Sequence, residues 1–187
     1  MKIYTIVGGV NGVGKSSFTG VLKSRTTDLG VIVDVDKITG QLGKGTIEGG
    51  KAALRLMEDC IDRGISFTQE TTLSGRRVKN TAQRVRDAGY YVRLYYVGLD
   101  TVEECKRRIA NRVARGGHNI GAEDVERRFA ARWEAVGAVL PFCDEAAFYD
   151  NDNGFVEVAA YQNGELILEG EYHPRWIVEL SDYLKAV

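Results

Sequence analysis

Residues 3–22 read IYTIVGGVNGVGKSSFTGVL: a short apolar run from Ile3 to Val7, a glycine-rich turn, then Phe18, Val21 and Leu22 at helical spacing. That is strand, loop and helix in succession. Within it, Gly9 to Ser16 (GVNGVGKS) fits the pattern GxxxxGKS in the context that gives the pattern meaning. Gly9, Gly12 and Gly14 allow the backbone to turn around a phosphate chain, so that successive N–H groups and the positive end of the helix face an anion. Lys15 adds a mobile charge able to bridge β- and γ-phosphates, and the Ser16 hydroxyl is suited to Mg²⁺. A chance match in a chain of this length is on the order of one percent. The nucleotide-binding candidates are Gly9, Asn11, Gly12, Val13, Gly14, Lys15, Ser16 and Ser17.

The same alternation continues outward from this loop. Val31 to Val35 reads as a second strand, Ile47 to Arg63 as a helix stopped by Gly64, and Ile65 to Gln69 as a third strand. Ser74 is the expected cap of the next helix, which carries Val78, Ala82 and Val85. Tyr91 to Val97 is a fourth strand, and Asp100 with Glu103 forms a capping-box pattern before Val102, Cys105, Ile109 and Val113. A further helix carries Val125, Phe129, Trp133, Val136 and Leu140, and Ala146 to Tyr149 reads as a fifth strand. Such alternation predicts an α/β fold: a three-layer sandwich around a mainly parallel five-stranded sheet, with ligands at the carboxyl ends of the strands. Asn163-Gly164 between two apolar stretches predicts a β-hairpin, followed by a terminal helix from about Pro174. The expectation is one domain over residues 1–187, with a lid at about 106–132 and the hairpin and helix at about 154–187.

Composition limits the alternatives. The 187 residues carry 44% hydrophobic and 27% charged side chains, as a compact domain does. Cys60, Cys105 and Cys143 are odd in number and widely spaced, which argues against a disulfide framework and for a reducing, cytoplasmic setting. Neither a signal peptide nor an 18-residue apolar stretch is apparent, so no membrane is expected. The net charge of −1 gives no global pull toward nucleic acid. Locally, the stretch from Lys106 to Arg132 holds eight basic residues against three acidic ones. No N-K-x-D motif follows the loop, which disfavours a GTPase switch.

Three groups of residues could act beside the phosphates. In VIVDVD, Asp34 and Asp36 lie two residues apart and so on one side of an extended chain. A carboxylate there can accept a hydroxyl proton or hold Mg²⁺ through water. Asp34 and Asp36 are both candidates, either as the base or as the metal residue. In FTQETTLSG, Glu70 occupies a position where many nucleotide-binding loops place a Mg²⁺-linked aspartate, yet Thr71 and Thr72 beside it suit a grip on a polar substrate. Arg76, at a helix start unfavourable for cations, is counted with them. Arg108, Arg112 and Arg115 share one helix face, and Arg128 and Arg132 follow on the next helix. Guanidinium groups on a closing segment would stabilise the transferring phosphoryl group beside Lys15. His118 in the loop between them serves equally as an anchor.

Together GVNGVGKS, VIVDVD, QETTLSG, RVARGGHNI and RRF resemble the zeta-toxin-like family of P-loop kinases over roughly residues 1–150. The resemblance implies an ATP- and Mg²⁺-dependent kinase. The best-known members phosphorylate a UDP-activated amino sugar and are blocked at the ATP site by an antitoxin. It implies Asp36 as the base, Glu70 at the substrate, and Arg112 and Arg128 at the γ-phosphate, with Arg115 a rival for the first. Members commonly have proline where this chain has Gly121. The expected function is phosphoryl transfer from ATP to a hydroxyl of a polar metabolite, with a small-molecule substrate and an antitoxin-like protein as partners. The alternative is an ATP-binding regulatory protein with slow hydrolysis and a partner-binding lid.

Overall fold

Strand β1 (Ile3–Gly8) is buried at every position, so it requires neighbours on both edges and apolar cover on both faces. Both are present in the computed structural model, which describes residues 1–43 and 46–187. Parallel strands flank β1: β3 (Phe67–Thr71) on one side and β4 (Tyr91–Gly98) on the other. Outside them lie β2 (Val31–Val33) and β5 (Glu145–Asp150), also parallel. Strands β6 (Val156–Gln162) and β7 (Glu165–Leu168) continue the sheet beyond β5 as an antiparallel pair, giving the order β2-β3-β1-β4-β5-β6-β7. The sheet therefore has seven strands rather than five. The expected hairpin is part of the sheet, because the edge of β5 was open to receive it.

One face is covered by α3 (Thr46–Asp62), α4 (Arg76–Asp87), α7 (Arg132–Val139) and α8 (Arg175–Ala186), with Met57, Val85, Val136 and Leu180 in one apolar core. The other is covered by α1 (Lys15–Arg25), α5 (Val102–Ala114) and α6 (Ala122–Ala130), with Phe18, Leu22, Ile109 and Val125 in a second. These are the three expected layers. No described helix is long and apolar enough to cross a membrane. All three cysteines are free.

Several local readings are corrected. The second strand ends at Val33, and α2 (Val35–Leu42) begins at once, because Asp34 caps it by accepting from the Asp36 and Lys37 N–H groups. Asp36 therefore stands in the first turn of a helix, not on an extended chain. Helix α4 is preceded by Gly75 without a side-chain cap, while Ser74 accepts from the Thr72 hydroxyl instead. Thr101, not Asp100, caps α5 through the Glu104 N–H. The helix expected through Val125 and Leu140 turns at Ala131, so that α7 brings Trp133 onto Trp176 with ring centroids 6.2 Å apart.

Trp176 ties the C-terminal helix to the sheet. Its ring lies against Gly98, where a side chain would collide with it. Its indole N–H donates to Asp150 at 2.8 Å and its backbone N–H to Asp100 at 2.9 Å. Trp176 is fully buried and Asp150 3% exposed. Trp176→Ala is expected to lower unfolding free energy by about 3–5 kcal/mol, and Trp176→Phe by about 1–3 kcal/mol because Asp150 Oδ1 loses its donor while Oδ2 keeps the Asp152 N–H and Tyr172 hydroxyl. Denaturant unfolding measures both, and a wild-type midpoint for Trp176→Phe would refute the second.

Candidate active site

The loop after β1 is shaped by the neighbours that press on it. Val10 and Val13 are buried in the core with α1 and α5, which pins the loop from below. Gly12, at φ 90°, backs onto the Cys105 carbonyl in α5, and a Cβ on Gly14, at φ 100°, would come within 2.5 Å of the Asn151 amide nitrogen. Neither position tolerates a side chain, in conformation or in space. Asn151 in turn donates to the Val13 carbonyl at 2.8 Å. Helix α1 opens directly from Gly14 with no side-chain cap and no acidic residue in its first turn, so its positive end faces the loop.

Lys15 folds into this loop, its ammonium donating to the Gly9 and Val10 carbonyls at 2.8 and 3.2 Å. Desolvation pulls its pKa from 10.5 down to about 8, against Glu70 and Asp36, which hold it up, and with Arg112, which lowers it further. Both carboxylates thus act electrostatically on this one lysine. The Ser16 hydroxyl donates to Glu70 Oε2 at 2.7 Å. Glu70 is 9% exposed, and its Oε1 is enclosed with no partner. A hydroxyl beside a carboxylate with an unused oxygen is a donor set that fits Mg²⁺, held largely by phosphate and water. Among the described residues no three His, Cys, Asp or Glu side chains converge.

The other acids and the threonines behave differently from one another. Asp34 caps α2 through Oδ1 and pairs through Oδ2 with Lys37 at 3.1 Å, so both its oxygens are engaged. Asp36 is exposed at the cleft. The Thr71 hydroxyl oxygen accepts from the Leu73 N–H at 3.1 Å, supporting a left-handed backbone (φ 60°) at Leu73, a buried non-glycine residue. Thr72 donates to Ser74 at 3.1 Å.

The arginine segment separates on ion pairing. Lys106, Arg107, Arg108, Arg127 and Arg132 each pair with a carboxylate, Arg132 with Glu179 at 2.7 Å while its guanidinium stacks on Phe129 and Trp133. Arg132 is thereby structural. Among the described residues Arg112, Arg115 and Arg128 have no carboxylate partner. Arg112 donates to the His118 carbonyl at 2.8 Å and Arg128 to Asn11 Oδ1 at 2.6 Å.

These groups converge on a cleft of about 1060 Å³ at the carboxyl ends of β1 and β3. It takes in Asn11, Gly12, Gly14, Lys15, Ser16, Ser17, Asp34, Asp36, Glu70, Thr71, Thr72, Arg76, Arg112 and Arg128. Gly9 and Val13 lie beneath it. Arg115 borders instead a neighbouring cleft of about 370 Å³ with Arg108 and Asn111. His118 lines a third, of about 570 Å³, which reaches Asp36. Sequence reasoning missed Asn151 in the main cleft, while Arg77 lines it beside Arg76 at the start of α4. Asn151 follows the last parallel strand, a position that could have drawn attention to it.

The fold is that of zeta-toxin-like P-loop kinases. A chain from the PezAT chromosomal toxin–antitoxin system of Streptococcus pneumoniae superposes with TM-score 0.64 at 19% identity, over 100% of this chain and 85% of that one. AvrRxo1-ORF1:-ORF2 with ATP superposes at 0.67 and 14% identity, over 100% of this chain and 76% of that one. No protein-family model matches the sequence. An uncharacterised protein of Haemophilus influenzae is 34% identical over 127 residues, 65% of this chain and 88% of that protein. The chain belongs to the same family as this Haemophilus protein.

In the free protein Lys15 is expected to titrate near pH 8, followed through its Cε protons by NMR. Glu70→Gln removes a charge that holds the ammonium protonated, so the midpoint falls further; an unmoved midpoint would reject the proposed coupling. Because the unfolded chain binds more protons between about 8 and 10.5, the Lys15 contribution to stability rises with pH across that window.

Proposed function

We propose that this protein is an ATP- and Mg²⁺-dependent phosphotransferase that moves the γ-phosphoryl group to a hydroxyl of a polar small molecule, a nucleotide sugar such as a UDP-sugar among the candidates. The observation that carries this reading is the hydrogen bond from Ser16 to Glu70 beneath an unpartnered carboxylate oxygen, beside a lysine whose pKa is depressed. That arrangement would accommodate a polyphosphate and a divalent cation at once.

In this reading the loop amides from Asn11 to Ser17 bind the phosphates, and Lys15 leaves its own loop carbonyls to meet them. Bound Mg²⁺, held by the Ser16 hydroxyl and through water by Glu70, would supply positive charge where the γ-phosphoryl group departs. The metal role expected of Asp34 therefore passes to Glu70, since capping and Lys37 engage both Asp34 oxygens. Asp36, exposed at the cleft, would accept the acceptor's proton as its oxygen attacks phosphorus. Thr71, Thr72 and Arg76 bound the side from which an acceptor enters. Arg112 and Arg128, free of carboxylates, meet charge on the transferring oxygens. We extend the reading to an antitoxin-like partner because one structural neighbour is from a toxin–antitoxin system.

Incubation with ATP, Mg²⁺ and a panel of nucleotide sugars, sugars and nucleosides is expected to add one phosphoryl group to an acceptor, detected by mass spectrometry. Lys15→Ala is expected to abolish tight ATP binding. Asp36→Ala should bind ATP nearly as well as wild type yet turn over at least about 100-fold more slowly, the lower end of general-base effects. Unchanged turnover would remove Asp36 from the base role, and protein that binds no nucleoside triphosphate would remove the function altogether. Growth arrest on overexpression, lost in Lys15→Ala, tests the toxin branch.

A further inference from the structure

Asn11 lies in the loop between β1 and α1 and lines the main cleft. Its side chain receives Arg128 Nη1 at 2.6 Å, across 117 residues of sequence. Arg128 comes from α6, beyond the Gly116-Gly117 loop, and both residues line the main cleft. The Arg128 Nε is enclosed without a partner. Five of the eight basic residues in this segment are tied to carboxylates, whereas this one is tied to a neutral carboxamide of the loop itself.

We infer that Asn11 is a positioning residue that holds the Arg128 guanidinium over the phosphate loop before nucleotide arrives. The inference rests on the phosphotransferase reading and specifies how one of its arginines is set in place. A long side chain that had to find its orientation during each turnover would lose part of its effect; one docked in advance stabilises developing charge without reorganising. The chemistry of the acceptor matters as well. A carboxamide oxygen occupies one of five guanidinium N–H groups and leaves the positive charge whole. A carboxylate in its place would form an ion pair, cancel that charge and set a negative group beside the phosphates. Asparagine can dock an arginine here without disarming it.

The test compares wild type, Asn11→Ala, Asn11→Asp, Arg128→Ala and the double variant Asn11→Ala/Arg128→Ala. Each is titrated with ATP, and with ADP plus aluminium fluoride as a mimic of the transferring phosphoryl group. Asn11→Ala is expected to weaken binding of the mimic about tenfold or more, as for loss of a hydrogen bond to a charged group, with ATP affinity changed by less than about threefold and the melting temperature unmoved. In the Arg128→Ala background Asn11→Ala is expected to add nothing. Asn11→Asp should fail to restore the mimic's affinity although it keeps an acceptor oxygen. Equal losses for ATP and mimic, or effects that multiply in the double variant, would overturn the inference. The free protein supplies an arm independent of turnover: Arg128 guanidinium resonances in ¹⁵N-labelled protein should shift in Asn11→Ala, and unchanged resonances would overturn the docking even in a protein that transfers phosphate. Intact docking in a wild type that transfers nothing would overturn the function, and this role with it.

Discussion

Helix α1 begins without a side-chain cap and without an acidic residue in its first turn. Its leading N–H groups therefore present a positive end that no side chain of its own first turn answers, at a loop whose glycines leave no room for one. The surroundings respond to that constraint. Lys15 turns inward to carbonyls and is held partly deprotonated at mildly alkaline pH, and Glu70 sits within reach of Ser16 with an oxygen in reserve. Strand β1, buried throughout, makes the whole assembly rigid by fixing where the loop starts.

The distribution of ion pairs gives this cleft its sign. Most cations of the lid segment are neutralised by neighbours such as Glu104, whose carboxyl is held down to about 2 by Arg107 and Arg108. Those left without carboxylates among the described residues, Arg112, Arg115 and Arg128, all line clefts, as does the paired Arg108. A local excess of positive charge visible in the sequence is thus mostly scaffold; the functional charge is the remainder after pairing, which only three-dimensional neighbours define.

What could be read in the sequence follows the range of the interactions concerned. The phosphate loop is local: three glycines, a lysine and a serine within eight residues, with apolar periodicity on either side, and so it was legible to the residue. The parallel core was legible for the same reason. Asp34 shows the limit, because V-I-V-D-V-D alternates like a strand while an aspartate before a short helix is also a good cap, and packing of α2 decided between them. The break at Ala131 has no proline or glycine to announce it; it exists because Trp133 and Arg132 find Trp176 and Glu179, more than forty residues away. The pairing of Ser16 with Glu70, 54 residues apart, could be anticipated only as two candidates near one ligand. The joining of the hairpin to the sheet depended on β5 being left with an open edge.

The contact between Gly12 and the Cys105 carbonyl bears on how the arginine segment can move. With the beginning of α5 jammed against the phosphate loop and its Ile109 anchored in the core, that half of the helix cannot swing without dislodging the loop it would close upon. A pivot for the proposed lid would lie further along, toward Gly116, which has a left-handed backbone and open space around it. Motion of the proposed lid would then be confined to the short stretch between Arg112 and α6, since Val125 of α6 is buried in that same core.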